Sequence, residues 1–556
     1  MKDFSSGGVW RARMDVSSHP IGFLLAAATW REQLDKTLFD DTFSGVHQLA
    51  LFDYLLLVPY FTLLLILAFY GINRYAVIWN YVRSRKRFRA VEPEPFERLP
   101  RVTIQLPLYN ERFVVDRLLE EAVKVDYPRE LLQIQVLDDS TDETHPYTER
   151  LCAQYRAQGY PVEYHHRNNR HGFKAGALDE GLKSATGEFV AIFDADFVIP
   201  RDFLKRTIHH FTDPRVGLVQ TRWSYLNRYY NLLTEVQGIL LDGHFVLEHN
   251  ARYRSGEFFN FNGTAGILRV SMIRDAGGWE HDTLTEDSDL SYRAQLKGWK
   301  FVYRPDVECA SELPFDTHGF QVQQSRWAKG LTQVAIKLLR RILDADVPFR
   351  VKLEAVWHLT PNVAYPLMIA VTALMLPVMI VRFYMGWQQL LLVDVPLLAA
   401  TFLSVVVFYV YAQYERDRSG WKRSILMMPV VMAAGAALSV INTRAFFEAV
   451  LGVQTAFART PKYAIAGTQT RENKDAELKN KYRSKSGWLP YIELAFGAYF
   501  LFMVIYALDT LNFFAVPLLL IFVAGYFWAA ISTLHREIKD RYAWSRARKL
   551  EAQAVR

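Results

Sequence analysis

Hydrophobic and polar positions divide the chain into apolar runs near its two ends and an alternating middle. Runs of about 20 apolar residues predict membrane-spanning helices, because a bilayer core is roughly 30 Å thick and a helix rises about 1.5 Å per residue. Between residues 95 and 345 no such run occurs, so we expect a soluble domain flanked by membrane segments. The apolar runs lie at 49–72, 363–381, 390–411, 425–451, 491–508 and 511–531.

Basic residues set the predicted orientation of these segments. Arg83, Arg85 and Arg87 follow the first run, and basic residues beside a span normally stay in the cytoplasm. The run at 425–451 breaks the pattern, because a single crossing would move the basic segment 459–485 and the basic tail outside. We therefore expect this run to fold back as a hairpin or to lie in the membrane interface.

The predicted organisation is that of a multi-pass integral membrane protein with a cytoplasmic domain, in a bacterial inner membrane or its equivalent. Its parts are an extracytoplasmic or interfacial segment 1–48, a first span 49–80, a cytoplasmic domain 95–345, interface and transmembrane helices 350–456, a cytoplasmic loop 457–487, two spans 488–535 and a basic cytoplasmic tail 536–556.

Strand-like and helix-like patterns alternate in the middle domain. Such alternation predicts an α/β fold with a mostly parallel, Rossmann-like sheet, whose ligands bind at the carboxyl ends of the strands. The strands are predicted at 101–106, 131–137, 162–165 and 189–193, and the helices at 114–123, 144–157 and 175–183.

Composition excludes two classes of protein. A net charge of +7 from 65 basic and 58 acidic residues is modest for 556 residues and does not indicate nucleic-acid binding. Cys152 and Cys309 are the two cysteines of the chain, too few for a disulfide scaffold, and we expect both to be inert core thiols.

Two acids end the predicted strand at 189–193. Because residues i and i+2 of a strand face the same side, Asp194 and Asp196 can point toward one hard cation such as Mg²⁺ or Mn²⁺. The alternative is a structural role in capping a helix or forming a turn.

A second acidic group is Thr285-Glu286-Asp287. A carboxylate here could act as a general base that removes the proton of a hydroxyl group. In the alternative interpretation, Thr285 caps a helix whose first turn carries acids because they interact favourably with the helix dipole.

A third group lies in a helix-like stretch that approaches the membrane. Gln323 and Arg326 share one helix face and could bind an anionic leaving group, while Trp327 offers a flat surface for a sugar. The alternative is an interfacial tryptophan beside an arginine whose head group reaches toward water.

Taken together, these groups resemble a known family. In order and spacing, Asp138-Asp139, Asp194-Ala195-Asp196, Thr285-Glu286-Asp287 and the 323–327 motif are similar to the motifs of family 2 glycosyltransferases, in their membrane-embedded, processive, cellulose-synthase-like branch. The segments 107–111, 136–142, 169–178 and 261–266 agree, and the last with 136–142 looks most like plant glucomannan- and xyloglucan-backbone synthases. The resemblance implies a glycosyltransferase-A type domain with an α-helical transmembrane region.

The resemblance also implies roles for individual residues. Asp287 would be the catalytic base, and Asp194 and Asp196 would hold a divalent cation, Mg²⁺ or Mn²⁺. The nucleotide-sugar donor would contact Pro107, Tyr109, Glu111, Asp138, Asp139, Lys174, Asp194, Gln323 and Arg326. The acceptor would contact Trp327, Glu286, Gly263 and Thr264, and a gating loop would include Phe457, Arg459, Thr460 and Lys462.

The function that these roles imply is an inverting hexosyltransferase. It would polymerise hexose from a nucleotide-sugar, UDP-glucose first and GDP-mannose second, into a β-linked polysaccharide and move the product across the membrane. The implied partners are the donor, a growing glycan or lipid acceptor, and membrane lipids, but no nucleic acid. The alternatives are transfer of a single sugar to a membrane lipid, as in glucosylceramide synthases, and an inactive transporter or scaffold.

Overall fold

The computed structural model describes residues 50–88, 92–385, 391–454, 462, 487–510, 513 and 515–554. The chain divides into two compact units. The described residues up to Thr62 and Leu374–Leu398 belong to one unit, and Leu63–Ala373 with the described residues from Ala399 onwards belong to the other. Both the sheet and the predicted site lie in the second unit.

A seven-stranded sheet is formed by strands between residues 102 and 311. Strands β1 and β2 are buried along nearly their whole length, as expected for strands that are covered on both faces. The strands are β1 Val102–Leu108, β2 Leu132–Asp138, β3 Val162–His166, β4 Phe189–Ile192, β5 Val216–Tyr225, β6 Gly266–Arg269 and β7 Lys300–Ser311.

The strand order is β3-β2-β1-β4-β6-β5-β7. β1 pairs in parallel with β2 and β4, β2 with β3, and β5 with β7, whereas β6 pairs antiparallel with both β4 and β5. The predicted mostly parallel sheet is therefore confirmed. In an open sheet of this kind, the carboxyl ends of β1, β2 and β4 meet at one edge and can share a ligand.

Along the chain, helices alternate with the strands and also form the apolar segments. They are α1 Leu51–Arg87, α2 Val115–Val123, α3 Thr144–Ala157, α4 Phe173–Ser184, α5 Phe203–Thr207, α6 Leu232–Asp242, α7 His249–Ser255, α8 Val270–Asp275, α9 Glu286–Leu296, α10 Thr317–Asp344, α11 Phe349–Leu359, α12 Ala364–Tyr384, α13 Leu391–Leu398, α14 Ser404–Arg416, α15 Lys422–Val450, α16 Leu489–Asp509 and α17 Val516–Ala554. Between α6 and α7, Gly243–Glu248 forms a π-helical turn.

Six helical segments among the described residues are long and apolar enough to cross a membrane, which makes the chain a membrane protein. They are Leu51–Lys86, Pro361–Tyr384, Pro396–Arg416, Lys422–Val450, Leu489–Asp509 and Val516–Lys539. Each corresponds to one of the apolar runs in the sequence.

The fourth segment corrects one prediction. For the run at 425–451 the sequence predicts either a hairpin or a segment in the membrane interface. The structure shows that α15 is one continuous helix of 29 residues, so the hairpin prediction is wrong. Pro429 is the eighth residue of this helix, where it removes one backbone hydrogen bond without ending the helix. The interface alternative is taken up below.

Candidate active site

A cavity of about 190 Å³ lies at the carboxyl ends of β1 and β4, between these strands and the helices α9 and α10. Most of the residues that the sequence singled out line this cavity, although they are spread over more than 350 positions of the chain. They are Pro107, Tyr109, Glu111, Asp139, Lys174, Asp194, Asp196, Gly263, Glu286, Asp287, Gln323, Arg326, Trp327 and Lys462.

Two predicted ligand-contacting residues lie behind the cavity wall. Asp138 is fully buried, and its carboxylate accepts hydrogen bonds from the Ser140 backbone N–H at 2.8 Å and the Tyr164 hydroxyl at 2.7 Å. Thr264 is also fully buried, and its hydroxyl accepts a hydrogen bond from the Asp194 backbone N–H at 2.9 Å. Both residues therefore support neighbouring loops and do not face the cavity. Phe457, Arg459 and Thr460 lie outside the described residues.

Strained backbone marks three of the loops around the cavity. Asn110, Phe173 and Ala265 are the non-glycine residues with positive φ among the described residues, with values of 51°, 50° and 53°. Each of them lies next to or within two residues of a lining residue, such as Tyr109 or Lys174. Left-handed conformations of this kind cost free energy and concentrate at functional sites, where the surrounding structure holds them.

At the end of β2, Asp139 is held by an arginine that sequence reasoning missed. Arg167 donates from Nε to Asp139 Oδ1 at 2.7 Å and from Nη2 to Asp139 Oδ2 at 2.5 Å. The same guanidinium donates to the carbonyl oxygens of His171 and Phe173, which precede Lys174. This bidentate pair fixes the Asp139 carboxylate and ties the end of β2 to the start of α4.

Another arginine lies against the tyrosine that follows β1. The guanidinium carbon of Arg170 lies 3.3 Å from the centroid of the Tyr109 ring, which is a cation–π contact. Both residues line the cavity. The stacked pair forms a flat part of the wall of the cavity that Asp139 also lines.

The two acids after β4 each have a lysine partner. Lys174 Nζ donates to Asp194 Oδ1 at 2.5 Å and to the Gly263 carbonyl oxygen at 2.8 Å. Lys462 Nζ donates to Asp196 Oδ2 at 2.6 Å. Burial disfavours a charged lysine, but the Asp194 and Glu286 carboxylates outweigh it and raise the pKa of Lys174. These contacts show that the two carboxylates attract positive charge, as cation ligands must.

The catalytic-base candidate Asp287 lies in the first turn of α9. Its Oδ1 accepts a hydrogen bond from the Ser288 backbone N–H at 2.6 Å. Burial, and then the negative charge of Glu286, raise the pKa of Asp287 to about 7, and burial also raises the pKa of Glu286. A carboxyl group with a pKa near neutrality is suited to take up a proton at physiological pH. The Thr285 side chain makes no cap hydrogen bond, which disfavours the structural alternative.

Gly263 lets the backbone approach Asp287 closely. It has a φ of +79°, and a Cβ atom added there would lie 2.8 Å from Asp287 Oδ2. Because side chains other than hydrogen are strained at this φ and would crowd the carboxylate, the position requires glycine. The Gly263 carbonyl oxygen also accepts the hydrogen bond from Lys174. This turn therefore connects Asp287, the candidate base, to the lysine that pairs with Asp194.

The third predicted group lies on α10. Gln323, Arg326 and Trp327 all line the cavity on one face of this helix. The helix is capped by Asp316, whose side chain accepts a hydrogen bond from the Gly319 backbone N–H at 2.9 Å. This position at the cavity favours the ligand-binding interpretation of Arg326 and Trp327 over that of a membrane-interface pair.

Other lining residues were not predicted as site residues, among them an aromatic, an amide and an acidic side chain. Trp223, Asn262 and Glu312 come from the end of β5, the turn before β6 and the segment after β7. The Trp223 ring packs on Phe245 with ring centroids 4.9 Å apart. Asn262 lies in the quoted 261–266 segment, which was the available signal, whereas Trp223 and Glu312 stand in strands and loops that carry no motif.

Comparison with known sequences agrees with the fold, which is that of a glycosyltransferase-A domain. A model described as "Glycosyl transferase family group 2" matches residues 189–438, and one described as "Glycosyl transferase family 2" matches residues 103–274. Together they extend over more than half of the chain. The chain belongs to the family 2 glycosyltransferases, in their cellulose-synthase-like branch.

Curated relatives point to one group within that branch. Over 250 residues, the chain is 44% identical to the probable glucomannan 4-β-mannosyltransferase 11 of Oryza sativa subsp. japonica, covering 44% of each protein. Over 275 residues, it is 40% identical to the glucomannan 4-β-mannosyltransferase 2 of Arabidopsis thaliana, covering 48% of this chain and 52% of the relative. The chain thus aligns with about half the length of these relatives.

Among solved structures, a mannosyltransferase from Pyrobaculum calidifontis, in complex with GDP-Man and Mn²⁺, is similar to this chain at 21% sequence identity. The similarity covers 70% of this chain and 100% of that one, with a TM-score of 0.45.

Proposed function

We propose that this protein is an inverting hexosyltransferase that transfers sugar from a nucleotide-sugar to a growing β-linked glycan of the mannan type. The observation that carries the proposal is the convergence of the three acidic groups and the 323–327 motif on one cavity. A single cavity with a nucleotide end, an acidic centre and a sugar-binding platform provides what a direct displacement between donor and acceptor requires.

The donor that we favour is GDP-mannose, with UDP-glucose second. This reverses the order suggested by the sequence motifs, and the support comes from the relatives, whose names specify glucomannan 4-β-mannosyltransferases. The fixed carboxylate of Asp139 would accept hydrogen bonds from the nucleotide base, and Tyr109 with Arg170 would flank the base. A carboxylate can accept from the N–H groups of either guanine or uracil, so Asp139 does not itself select between them.

Asp194 and Asp196 would hold a divalent cation, Mg²⁺ or Mn²⁺. Their chemistry fits such an ion, because hard cations bind carboxylate oxygens together with substrate phosphates, and both carboxylates contact lysine ammonium groups in this structure. When bound, the cation would neutralise charge on the diphosphate. Lys174 and Arg326 line the same space and would contribute positive charge to the same leaving group.

The transfer follows from these positions. Asp287 would accept the proton of the acceptor hydroxyl, whose oxygen then bonds to the anomeric carbon as the bond from that carbon to the diphosphate breaks. The diphosphate leaves with the bonding electrons, and Arg326 would stabilise its negative charge. Attack from the face opposite the leaving group inverts the configuration, which gives a β-linkage from an α-linked donor. Trp327 would support the terminal sugar of the acceptor.

We further propose that α15 lies in the membrane interface against the cytoplasmic domain. Near its start, Arg423 pairs with Glu235 of α6 at 2.8 Å, and near its end Glu448 pairs with Lys329 of α10 at 3.1 Å. Both partners belong to helices of the soluble domain, and Lys462, which follows α15, reaches Asp196. An interfacial α15 keeps both ends on the cytoplasmic side, in agreement with the distribution of basic residues.

The test uses the full-length protein in detergent or nanodiscs. GDP-mannose and UDP-glucose are supplied separately with Mn²⁺, Mg²⁺ or a chelator, and nucleotide release and product linkage are measured. We expect nucleotide release with GDP-mannose and a divalent cation, and a polymer that endo-β-mannanase degrades. A product of one hexose on a lipid would contradict the polymer and support the glycolipid alternative, and no release with any donor would support an inactive protein.

A further inference from the structure

The face of α10 that carries Arg326 and Trp327 continues toward α9, the helix that contains Asp287. Residues spaced three or four apart lie on one side of a helix, and Gln323, Arg326 and Trp327 are followed on that side by Gly330, Gln333 and Lys337. Each of these three later residues contacts the segment 280–289. The candidate base is therefore attached to α10 at three successive turns.

The first attachment is a close approach of the two backbones. A Cβ atom added to Gly330 would lie 2.5 Å from Thr285 Cγ2 and 3.0 Å from the Thr285 backbone nitrogen. Such distances are shorter than van der Waals contact, so a larger residue would push the start of α9 away. The glycine thus sets how near Asp287 lies to α10.

The second attachment is a hydrogen bond from the backbone of the segment before α9. The Leu284 backbone N–H donates to Gln333 Oε1 at 2.9 Å. Leu284 lies three residues before Asp287 and itself lines the cavity. This hydrogen bond fixes the backbone immediately before the helix that carries the base.

The third attachment is a group of ion pairs. Lys337 Nζ lies 2.5 Å from Glu280 Oε2, 2.8 Å from Asp282 Oδ1 and 3.0 Å from Asp289 Oδ1. Asp289 is fully buried and also pairs with Arg293, one turn further along α9. Glu280 and Asp282 are partly exposed, and Arg293 also pairs with Asp289. Removing Lys337 therefore takes one of two cations from the buried Asp289 carboxylate and removes the ion pairs that hold the segment before α9 to α10.

We propose that Gln333 and Lys337 are positioning residues that hold Asp287 at a set distance from the Trp327 platform. The inference rests on the proposed function, in which Asp287 is the base. Neither side chain lines the cavity, so each acts through the backbone and acids around Asp287. A misplacement of about 1 Å can lower the rate of an enzyme about 100-fold, which makes such attachments matter for catalysis.

The test compares Lys337→Met and Gln333→Leu with the wild-type protein. Sugar transfer to acceptor, donor hydrolysis to water and the pH profile are measured together. We expect kcat for transfer to fall about tenfold or more in each variant, the hydrolysed fraction of donor to rise, and the donor KM to stay within about twofold. Lys337→Arg keeps the positive charge and should recover most of the transfer.

The matched control is Arg340→Met, on the same helix. Its side chain is 94% exposed, whereas that of Lys337 is 22% exposed. Transfer by this variant should equal that of the wild type. Wild-type transfer and hydrolysis ratios in both test variants would overturn the inference while leaving the proposed function intact. Absence of transfer by the wild-type protein, with every donor, would overturn the proposed function and the inference with it.

Discussion

At the proposed donor end of the cavity the carboxylates form ion pairs with basic side chains. At the proposed acceptor end, Glu286 and Asp287 form no ion pair among the described residues, although the charge of Lys174 acts on both from a longer distance. Asp139 pairs with Arg167, Asp194 with Lys174 and Asp196 with Lys462. Glu286 and Asp287 line the same cavity, but burial raises the pKa of both. The carboxyl group thus serves two different purposes in the proposed site. Carboxylates held in ion pairs can bind charged ligands, and a carboxyl group outside an ion pair can take up a proton.

The largest expected effect comes from removing the unpaired carboxyl group at the acceptor end. Asp287→Asn keeps the shape of the side chain but cannot accept a proton, so transfer should fall about 10³-fold. Nucleotide binding, measured by calorimetry, should change little, because the donor end is untouched. Transfer within about tenfold of the wild-type rate would break the distinction between the two ends.

Crowding the acceptor end should have the next largest effect. Gly263→Ala places a methyl group 2.8 Å from Asp287 Oδ2 at a φ of +79°, so either the turn or the carboxyl group must move. We expect transfer to fall about 100-fold. Gly159→Ala is the matched control, since that glycine also has a positive φ of +81° but has no atom within 4 Å of the added Cβ. An equal loss of transfer in the control would assign the effect to backbone strain alone.

The donor end is tested by removing a neutralising partner. Arg167→Gln deletes the bidentate pair with Asp139, and hydrogen bonds between charged groups contribute about 1.5–3 kcal/mol. The donor KM should therefore rise about tenfold or more, with kcat for bound donor little changed. Arg215→Gln removes an exposed arginine that pairs with Asp213 and should leave KM unchanged. A loss confined to kcat would place Arg167 in the chemical step instead.

The part of the fold that was predicted best from the sequence is the one that carries the proposed donor-binding residues Asp139, Asp194 and Asp196. Predicted strands and helices up to residue 193 agree closely with β1–β4 and α2–α4, and Thr144–Ala157 was predicted with its exact limits. Of those strands, β1, β2 and β4 are short and buried, whereas β3 is mostly half-buried and carries Glu163 and two histidines. No strand was predicted beyond them. The strand β7 lies at the edge of the sheet and carries Lys300, Arg304 and Asp306, so it lacks the apolar run that marks β4.

In the site, too, residues within contiguous motifs were predicted, whereas residues that pair across long stretches of sequence were not. Motif residues were identified because each motif is contiguous, and the sheet then brings the motifs together. Arg167 was missed because its partner is 28 residues away, and their pairing depends on the two neighbouring strands β2 and β3. Gln333 lies 49 residues from Leu284, and no local pattern connects the two positions. Supporting residues of this kind become visible when the helices are placed in space.

The finest test of the comparison is the pH dependence of transfer, because no side chain is removed from the wild-type protein. Because the pKa of Asp287 is raised to about 7, the base is mostly protonated below pH 7 and ionised above it. The value of kcat/KM should therefore fall about tenfold per pH unit below 7 and level off above it. Glu286→Gln removes the negative neighbour that helps to raise the pKa of Asp287, so the profile should shift to lower pH. A wild-type profile that stays level down to pH 5 would show that the acceptor end is neutralised in the same way as the donor end, and the contrast between them would be lost.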